Sequence, residues 1–151
     1  MNQITEKKTE IENSINFRKN ILEIEKQILD HPKSIMGEEF DKVNPVKSTF
    51  AGGCYIREIF MPAEQIITTK IHKKDHPFFV QSGKLSIISE QGKQEIEAPY
   101  NGITKAGTKR LIYTHTDCVF ITVHATDKLT VEEVTKEVIA EDFNDPLVAI
   151  K

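Results

Sequence analysis

The chain has 151 residues, of which 28% are charged and 38% hydrophobic, a composition typical of one globular domain with its own core. Its 20 basic residues against 23 acidic ones give a net charge of -3, so no basic field indicates a nucleic-acid polymer or an anionic membrane as a partner. The sequence starts with charged residues in place of a signal peptide, and it has no long apolar window. Its two cysteines do not form a Cys-x-x-Cys pair. These features predict a soluble cytoplasmic protein with free thiols.

The segment 1–36 has the apolar spacing of an amphipathic helix. Two neighbouring stripes run along it, one formed by Ile11, Ile15, Leu22 and Leu29 and the other by Phe17, Ile21, Ile24 and Ile28. Together they cover about half of the helix circumference, which is wide for a helix on a single surface. We therefore predict a homo-oligomer, in the simplest case a dimer, with this helix at or near the contact. The alternative is a helix that packs on its own domain.

The rest of the chain changes period. Residues 37–53 show no sustained pattern and are predicted to be a connecting arm, while 54–126 alternate with a period of two, as in "CYIREIF" and "IITTKIH". About eight short strands with turns such as Ser82-Gly83 predict a mainly β fold, a small antiparallel barrel or sandwich. Residues 127–151 are predicted to be a C-terminal helix and tail, with the helix in "DKLTVEEVTKEVIAEDF", where Thr130 and Glu133 form a capping box.

Two motifs within 54–126 resemble those of the cupins, which are small jelly-roll β-barrels of the RmlC-like superfamily. With Gly83 as the anchor, "KIHKKDH" takes the place of the first cupin motif and "KAGTKR" that of the second. The resemblance implies that the four positions of a cupin metal site are occupied by Lys70, His72, His76 and Arg110.

A longer run, "APYNGITKAGTKRLIYTHTD", resembles small cupin-like proteins of tailed bacteriophages and prophages, whose function is largely unassigned. That resemblance implies a host cytoplasm as the setting.

Strand alternation predicts which side chains line the barrel. If Lys70 and His72 point inward, Ile66 and Thr68 do so as well. A tight turn at Thr116-Asp117 makes the last two strands a hairpin. The hairpin places Arg110, Ile112 and Thr114 on one face with Val119, Ile121 and Val123, and it places Leu111, Tyr113, His115, Phe120 and His124 on the opposite face. One bulge reverses this assignment and makes His115 or His124 a third histidine of the site.

The predicted site is poor in metal ligands and rich in positive charge. Arginine cannot deprotonate, so only His72 and His76 remain as donors, whereas a divalent metal usually takes three from the protein. We therefore predict a metal-free cavity without a cofactor, in which Lys70 and Arg110 attract an anion and His72, His76, Thr68 and Tyr113 complete the contacts. The alternative places Lys70 and Arg110 at the barrel mouth and His76 on the surface.

Three classes of function are compatible with such a cavity. The first is binding of a small anionic metabolite, such as a nucleotide or a sugar phosphate, which in a phage setting sequesters a host signal. The second is an enzyme, either a sugar-nucleotide epimerase or isomerase with His72 as base and Tyr113 as acid, or a metal-dependent cupin with His72 and His76 as ligands. No carboxylate can be placed beside His72 to orient it, which favours binding over catalysis. The third is a structural virion component.

Overall fold

The computed structural model describes residues 2–150 and contains eleven short strands with helices at both ends of the chain. The helices are α1 (Gln3–Asp30), α2 (Glu38–Val43) and α3 (Val131–Val138). The strands are β1 (Val46–Ala51), β2 (Cys54–Met61), β3 (Ile66–Thr68), β4 (Ile71–His72), β5 (His76–Ser82), β6 (Lys84–Ser89), β7 (Gly92–Glu97), β8 (Tyr100–Thr104), β9 (Leu111–Thr114), β10 (Cys118–Ala125) and β11 (Ile139–Ala140). The predicted mainly β fold with terminal helices is confirmed.

The strands form antiparallel sheets around one main core. A five-stranded sheet has the order β1-β2-β10-β5-β8, a four-stranded sheet the order β3-β9-β6-β7, and β11 pairs with β4 in a two-stranded sheet. Both larger sheets contribute to the core, which contains Ile59, Met61, Phe78, Val80, Leu85, Ile87, Ile96, Ile112, Cys118 and Phe120. The two sheets are therefore the walls of one barrel.

The predicted hairpin between the last two barrel strands is wrong. β9 pairs with β3 and β6, whereas β10 pairs with β2 and β5, so the turn between β9 and β10 carries the chain from one sheet to the other. A short turn between two strands fits such a corner as well as a hairpin, and the sequence does not distinguish them. As a consequence Phe120, Thr122 and His124 are buried on the inner face of β10, and Val119, Ile121 and Val123 lie on its outer face.

The predicted alternation along "IITTKIH" is also wrong in part. This segment is two strands, β3 and β4, with an interruption at Thr69 and Lys70. Ile67 packs against the core, while the Thr68 hydroxyl donates to Glu25 of α1. The interruption is held by the Thr69 hydroxyl, which accepts from the backbone N–H of Arg110. It resets the alternation, so that Ile67 and His72 both line the barrel although they are an odd number of residues apart.

One stripe of α1 packs on the barrel of its own chain and the other does not. Ile21 is buried, and Glu25 of the same face forms an ion pair of 2.7 Å with the buried Lys109. The other stripe stays open, with Ile15 50%, Leu22 45% and Leu29 48% exposed. A dimer contact through α1 stays a prediction. None of the helices in residues 2–150 has the length and apolar character to cross a membrane.

The arm and the C-terminal segment contribute to the barrel more than the sequence indicates. Residues 37–53 contain α2 and also β1, which pairs with β2 along its whole length. Thr130 caps α3 as predicted, because its hydroxyl accepts from the Glu133 N–H. The helix then ends at Val138, and β11 pairs with the strand that carries His72.

Gly83 is the position where a side chain is least tolerated, which gives a stability prediction. Its φ is 90°, and an added Cβ would lie 2.2 Å from the Asp117 carbonyl oxygen, whereas Gly92 has a φ of 106° and open space around it. We expect Gly83→Ala to lower the free energy of unfolding by about 3 kcal/mol, and Gly92→Ala by about 1 kcal/mol from backbone strain alone. Urea unfolding of both variants checks this, and equal losses would contradict it.

Candidate functional site

A cavity of about 360 Å³ lies between the two larger sheets, with α3 covering one side. Its apolar wall consists of Phe40, Tyr55, Ile59, Met61, Ile67, Ile112, Phe120, Val131, Val134, Val138 and Ile139. Its polar wall consists of Arg57, Thr68, Thr69, Lys70, His72, Arg110, Thr122, His124 and Thr135. No residue of either wall is an aspartate or a glutamate. The cavity therefore combines apolar surface with positive charge.

The pairing of three strands places the polar groups side by side. β10 lies between β2 and β5, and on its β2 side His124 pairs with Tyr55 and Thr122 with Arg57. On the β5 side Thr122 pairs with Phe78, and the same register continued by two residues brings His124 beside His76. The His124–His76 ring centroids are 4.5 Å apart.

The third histidine comes from β4, which lies outside both larger sheets. The His72 ring stacks on that of His124 at 5.1 Å and lies 4.3 Å from that of His76. One ring nitrogen of each histidine can be chosen so that all three lie within 4.8 Å of one another. The fold thus gathers a cluster of three imidazoles, His72, His76 and His124.

These imidazoles are neutral at neutral pH. Burial, followed by the neighbouring histidines and arginines, lowers the pKa of His72 to about 2. Burial lowers the pKa values of His76 and His124 to about 4. The His124 Nε2 lies 3.0 Å from the Thr122 hydroxyl, whereas the His76 Nε2 is buried and has no hydrogen-bond partner within residues 2–150. That nitrogen therefore makes no protein hydrogen bond beside the other two imidazoles.

Two arginines of the cavity have no carboxylate to balance them. Arg110 is 5% exposed, and its guanidinium lies 5.0 Å from the Phe78 ring centre and 5.4 Å from that of Phe120. Burial lowers the pKa of Arg110 to about 10, so the group stays charged, and its Nε is buried without a partner. Burial also lowers the pKa of Arg57, and within residues 2–150 neither arginine forms an ion pair. Buried charges without counter-charges are costly, and an anion relieves that cost.

The structure brings together some of the predicted site residues. His72 and Arg110 line the cavity, and Lys70 is exposed at its wall. His76 is 3% exposed and lies behind His72 and His124, so the alternative that placed it on the surface is wrong. His124 lies in the site, contrary to the face assigned to it, because β10 is not the hairpin partner of β9.

Tyr113 does not line the cavity, whereas Thr68 is part of its wall. Tyr113 is on the outer face of β9 with its ring edge against His115, whose Nε2 lies 2.6 Å from the Ser86 hydroxyl. The Thr68 hydroxyl already donates to Glu25 of α1. The proposed pair of His72 as base and Tyr113 as acid is therefore not assembled.

Arg57 was missed at the sequence level, although a signal was present. In "CYIREIFM" the inward positions are Tyr55, Arg57, Ile59 and Met61, so one charge stands in an otherwise apolar row. A cation at an inward position of a barrel strand indicates a polar cavity or a buried ion pair.

The three imidazoles suit a divalent metal by the chemistry of the donors. Neutral imidazole nitrogen is a common ligand for zinc, iron, nickel and copper, and three protein ligands are the usual number for a site that keeps an open position. The unpartnered His76 Nε2 has no competing hydrogen bond to lose. Arg110 opposes such binding through its positive charge, which acts on His72 and His76.

Comparison with known proteins gives the fold. No protein-family model matches the chain, and no curated protein matches it. Among solved structures, an ectoine synthase from P. lautus is 14% identical and has a TM-score of 0.53, over 74% of this chain and 81% of that one. A cupin-2 domain protein from Shewanella frigidimarina is 12% identical, with a TM-score of 0.45 over 53% of this chain and 78% of the other.

A third similar structure is the cupin domain of Schizosaccharomyces pombe Cnp3, which is 19% identical, with a TM-score of 0.47 over 66% of this chain and 74% of the other. At these identities the likeness concerns the fold alone, and the ectoine synthase has the highest TM-score of the three. The chain is a cupin-type β-barrel with a helix at each end.

Proposed function

We propose that the cavity binds a small anionic molecule, with Arg110 and Arg57 as the groups that hold its charge. The observation that carries this proposal is the buried Arg110 guanidinium, which has no carboxylate partner and a free Nε. A carboxylate or phosphate accepts from a guanidinium through two parallel hydrogen bonds, a geometry that a lysine does not offer. Lys70 adds a charge near the exposed wall.

The walls of the cavity favour an anion with an apolar body. Ile59, Met61, Ile112 and Phe120 supply apolar surface next to the arginines. A volume of 360 Å³ lies at the small end of the range of ligand pockets, which excludes polymers and favours molecules of about one ring. Aromatic and branched aliphatic carboxylates or phosphates fit this description best, while nucleotides and sugar phosphates are larger and more polar.

The phage resemblance adds a setting to this proposal. A barrel that binds a small anion without catalysing a reaction removes that anion from solution. In an infected host cell this sequesters a host metabolite, which is the role we propose for a phage-encoded chain. Measuring metabolite levels in cells that express the chain, against cells that express Arg110→Met, tests the role separately from binding.

A thermal-shift screen tests anion binding directly. The screen compares acetate, benzoate, phenyl phosphate, inorganic phosphate, sugar phosphates and nucleotides. A ligand at about a hundredfold excess over its Kd stabilises the fold by about 2.7 kcal/mol, which raises Tm by about 5–10 °C for a chain of this size. We expect benzoate or phenyl phosphate to give the largest shift, and none in Arg57→Met. A flat response to every anion would contradict the proposal.

The cluster of His72, His76 and His124 favours a second candidate, a metal-dependent cupin. A divalent metal bound there supplies Lewis-acid polarisation of a substrate oxygen or activation of a bound water. His72, His76 and His124 would hold it through neutral nitrogens, and Arg57 and Arg110 would position the anionic group of a substrate. The apolar walls exclude bulk water from the same space.

Elemental analysis after incubation with zinc, cobalt or nickel tests the second candidate. If it is correct, the wild-type chain retains one equivalent, His124→Ala lowers the affinity at least about a hundredfold, and the outer-face control His115→Ala retains it. Arg110→Met is expected to raise metal affinity, because a positive charge is removed, although it lowers anion affinity. Wild-type protein that retains no metal, or loss in His115→Ala, would contradict this candidate.

A further inference from the structure

The outer face of the five-stranded sheet is largely apolar, although the face of a sheet that contacts water usually carries polar residues. On β10 the outward residues are Val119, Ile121 and Val123, and the inward residues are also mostly apolar. An antiparallel sheet with one face in water alternates apolar and polar residues, whereas a strand that is apolar on both faces is typical of a sheet covered on both sides. None of the core clusters within residues 2–150 includes these three side chains.

The apolar surface extends to the neighbouring strands. Here we call it the β10 face, and its members at outward positions are Lys47, Thr49, Cys54, Ile56, Glu58, Phe60, Pro77, Phe79, Asn101, Ile103, Val119, Ile121 and Val123. Phe79 is 39% and Ile103 59% exposed. The outer face of the four-stranded sheet is mixed, since the charged Lys93 and Glu95 lie there beside the exposed Ile66 and Ile88. The β10 face is the more continuous apolar surface, because the row of Val119, Ile121 and Val123 runs through its centre.

The shape of the β10 face is self-complementary. A hollow of about 220 Å³ lies on its β1–β2 side, lined by Pro45, Val46, Lys47, Glu58, Phe60 and Val119. On its β5–β8 side Phe79 and Ile103 project. Ile121 pairs with Glu58 on one side and with Phe79 on the other, so the hollow and the projecting Phe79 lie in one row across the sheet.

We infer that the β10 face is the contact between two copies of this chain, packed sheet against sheet about a two-fold axis along β10. Such a rotation lays the β5 side of one copy over the β2 side of the other, and Phe79 of each copy enters the hollow of the other. The face carries one positive and one negative residue, Lys47 and Glu58, so two copies do not repel each other.

The β10 face approaches the size of an ordinary dimer contact. Its thirteen outward residues, each covering about 4.8 by 6.8 Å of the sheet, give a footprint on the order of 400 Å². Because the side chains project from the sheet, the accessible area of the face is larger than this footprint. It approaches the roughly 800 Å² that each partner buries in an ordinary interface. This inference is independent of the ligand, because the face lies on the opposite side of the sheet from the cavity.

Sedimentation equilibrium of the full chain and two aspartate variants tests the inference. We expect wild-type protein at micromolar concentration to have twice the 17.2 kDa chain mass. Phe79→Asp and Ile103→Asp each bury a charge in the contact and are expected to weaken the dimer at least about thirtyfold. The controls are Leu22→Asp on the exposed stripe of α1 and Tyr113→Asp on the other sheet, both of which should remain dimeric.

Circular dichroism establishes whether each variant is folded. If Phe79→Asp does not fold, the result for Ile103→Asp decides, because Ile103 is more exposed and its substitution disturbs the fold less. A monomeric wild-type chain overturns the inference. A chain that becomes monomeric through Leu22→Asp but stays dimeric with Phe79→Asp and Ile103→Asp also overturns it, and assigns the contact to α1.

Discussion

Replacing Arg110 with methionine is expected to stabilise the ligand-free protein and to remove its affinity for anions. The guanidinium is buried among Phe78, Phe120 and the histidines, without a counter-charge. Methionine has a similar length and no charge, so the variant avoids the desolvation cost and keeps most of the packing. Replacing even a buried ion pair with hydrophobic residues is often neutral or stabilises proteins by about 1–4 kcal/mol, and Arg110 has no ion-pair partner to lose. Urea unfolding of both proteins without ligand measures this difference.

Arg18→Met is the matched control for this prediction. Arg18 is also partly buried and also lies over an aromatic ring, that of Phe143, but it donates to Glu90 and to the Val148 carbonyl. Its loss leaves these acceptors unpaired and is expected to destabilise the protein by about 1–3 kcal/mol. Equal destabilisation by both substitutions would show that Arg110 is a structural residue instead of a ligand contact.

Acidification is expected to unfold the metal-free protein through the cluster of His72, His76 and His124. The folded-state pKa values of about 2, 4 and 4 lie below the ordinary value of 6.5. Above pH 6.5 the histidines are neutral in both states and have no effect. Below it the unfolded chain takes up protons that the folded chain does not, so stability falls as the pH falls, by up to about 1.4 kcal/mol per histidine per pH unit.

His124→Gln isolates this contribution from that of the carboxylates. Glu25 and Asp75, whose pKa values lie below their ordinary values of 4.5 and 3.8, also lose stabilising interactions in stronger acid. The free energy of unfolding between pH 6.5 and 4.5 should therefore depend less steeply on pH in His124→Gln, by up to about one third. Identical slopes for wild type and His124→Gln would contradict the buried cluster. Arg57 and Arg110 remain charged throughout this range and add repulsion.

The fold was largely predictable from the sequence, and the site only in part. Strand period, turn residues and the cap at Thr130 are local signals, so the barrel and its flanking helices follow from them. His72 faces the barrel as predicted, but not by regular alternation from Ile66, because the chain is interrupted at Thr69 and Lys70 between β3 and β4.

The face of the barrel on which His124 lies is determined by tertiary strand pairing and not by local sequence. A corner and a hairpin have the same length at Thr116-Asp117, and the pairing of β10 with β2 and β5 is set by residues far away in the chain. Arg57 was overlooked because it lies outside the motifs that resemble cupins. Tyr113 was included for its chemistry, although its alternation already placed it on the outer face.

Isothermal titration with a matched pair of ligands tests anion binding by the arginines most directly. The pair is the carboxylate that gives the largest thermal shift and its primary amide, which has nearly the same shape and no charge. We predict one site per chain, with the carboxylate at least about thirtyfold tighter than the amide in wild-type protein and no such preference in Arg110→Met. Equal affinities of the wild-type protein for the acid and the amide, or an undiminished preference in Arg110→Met, would contradict the account.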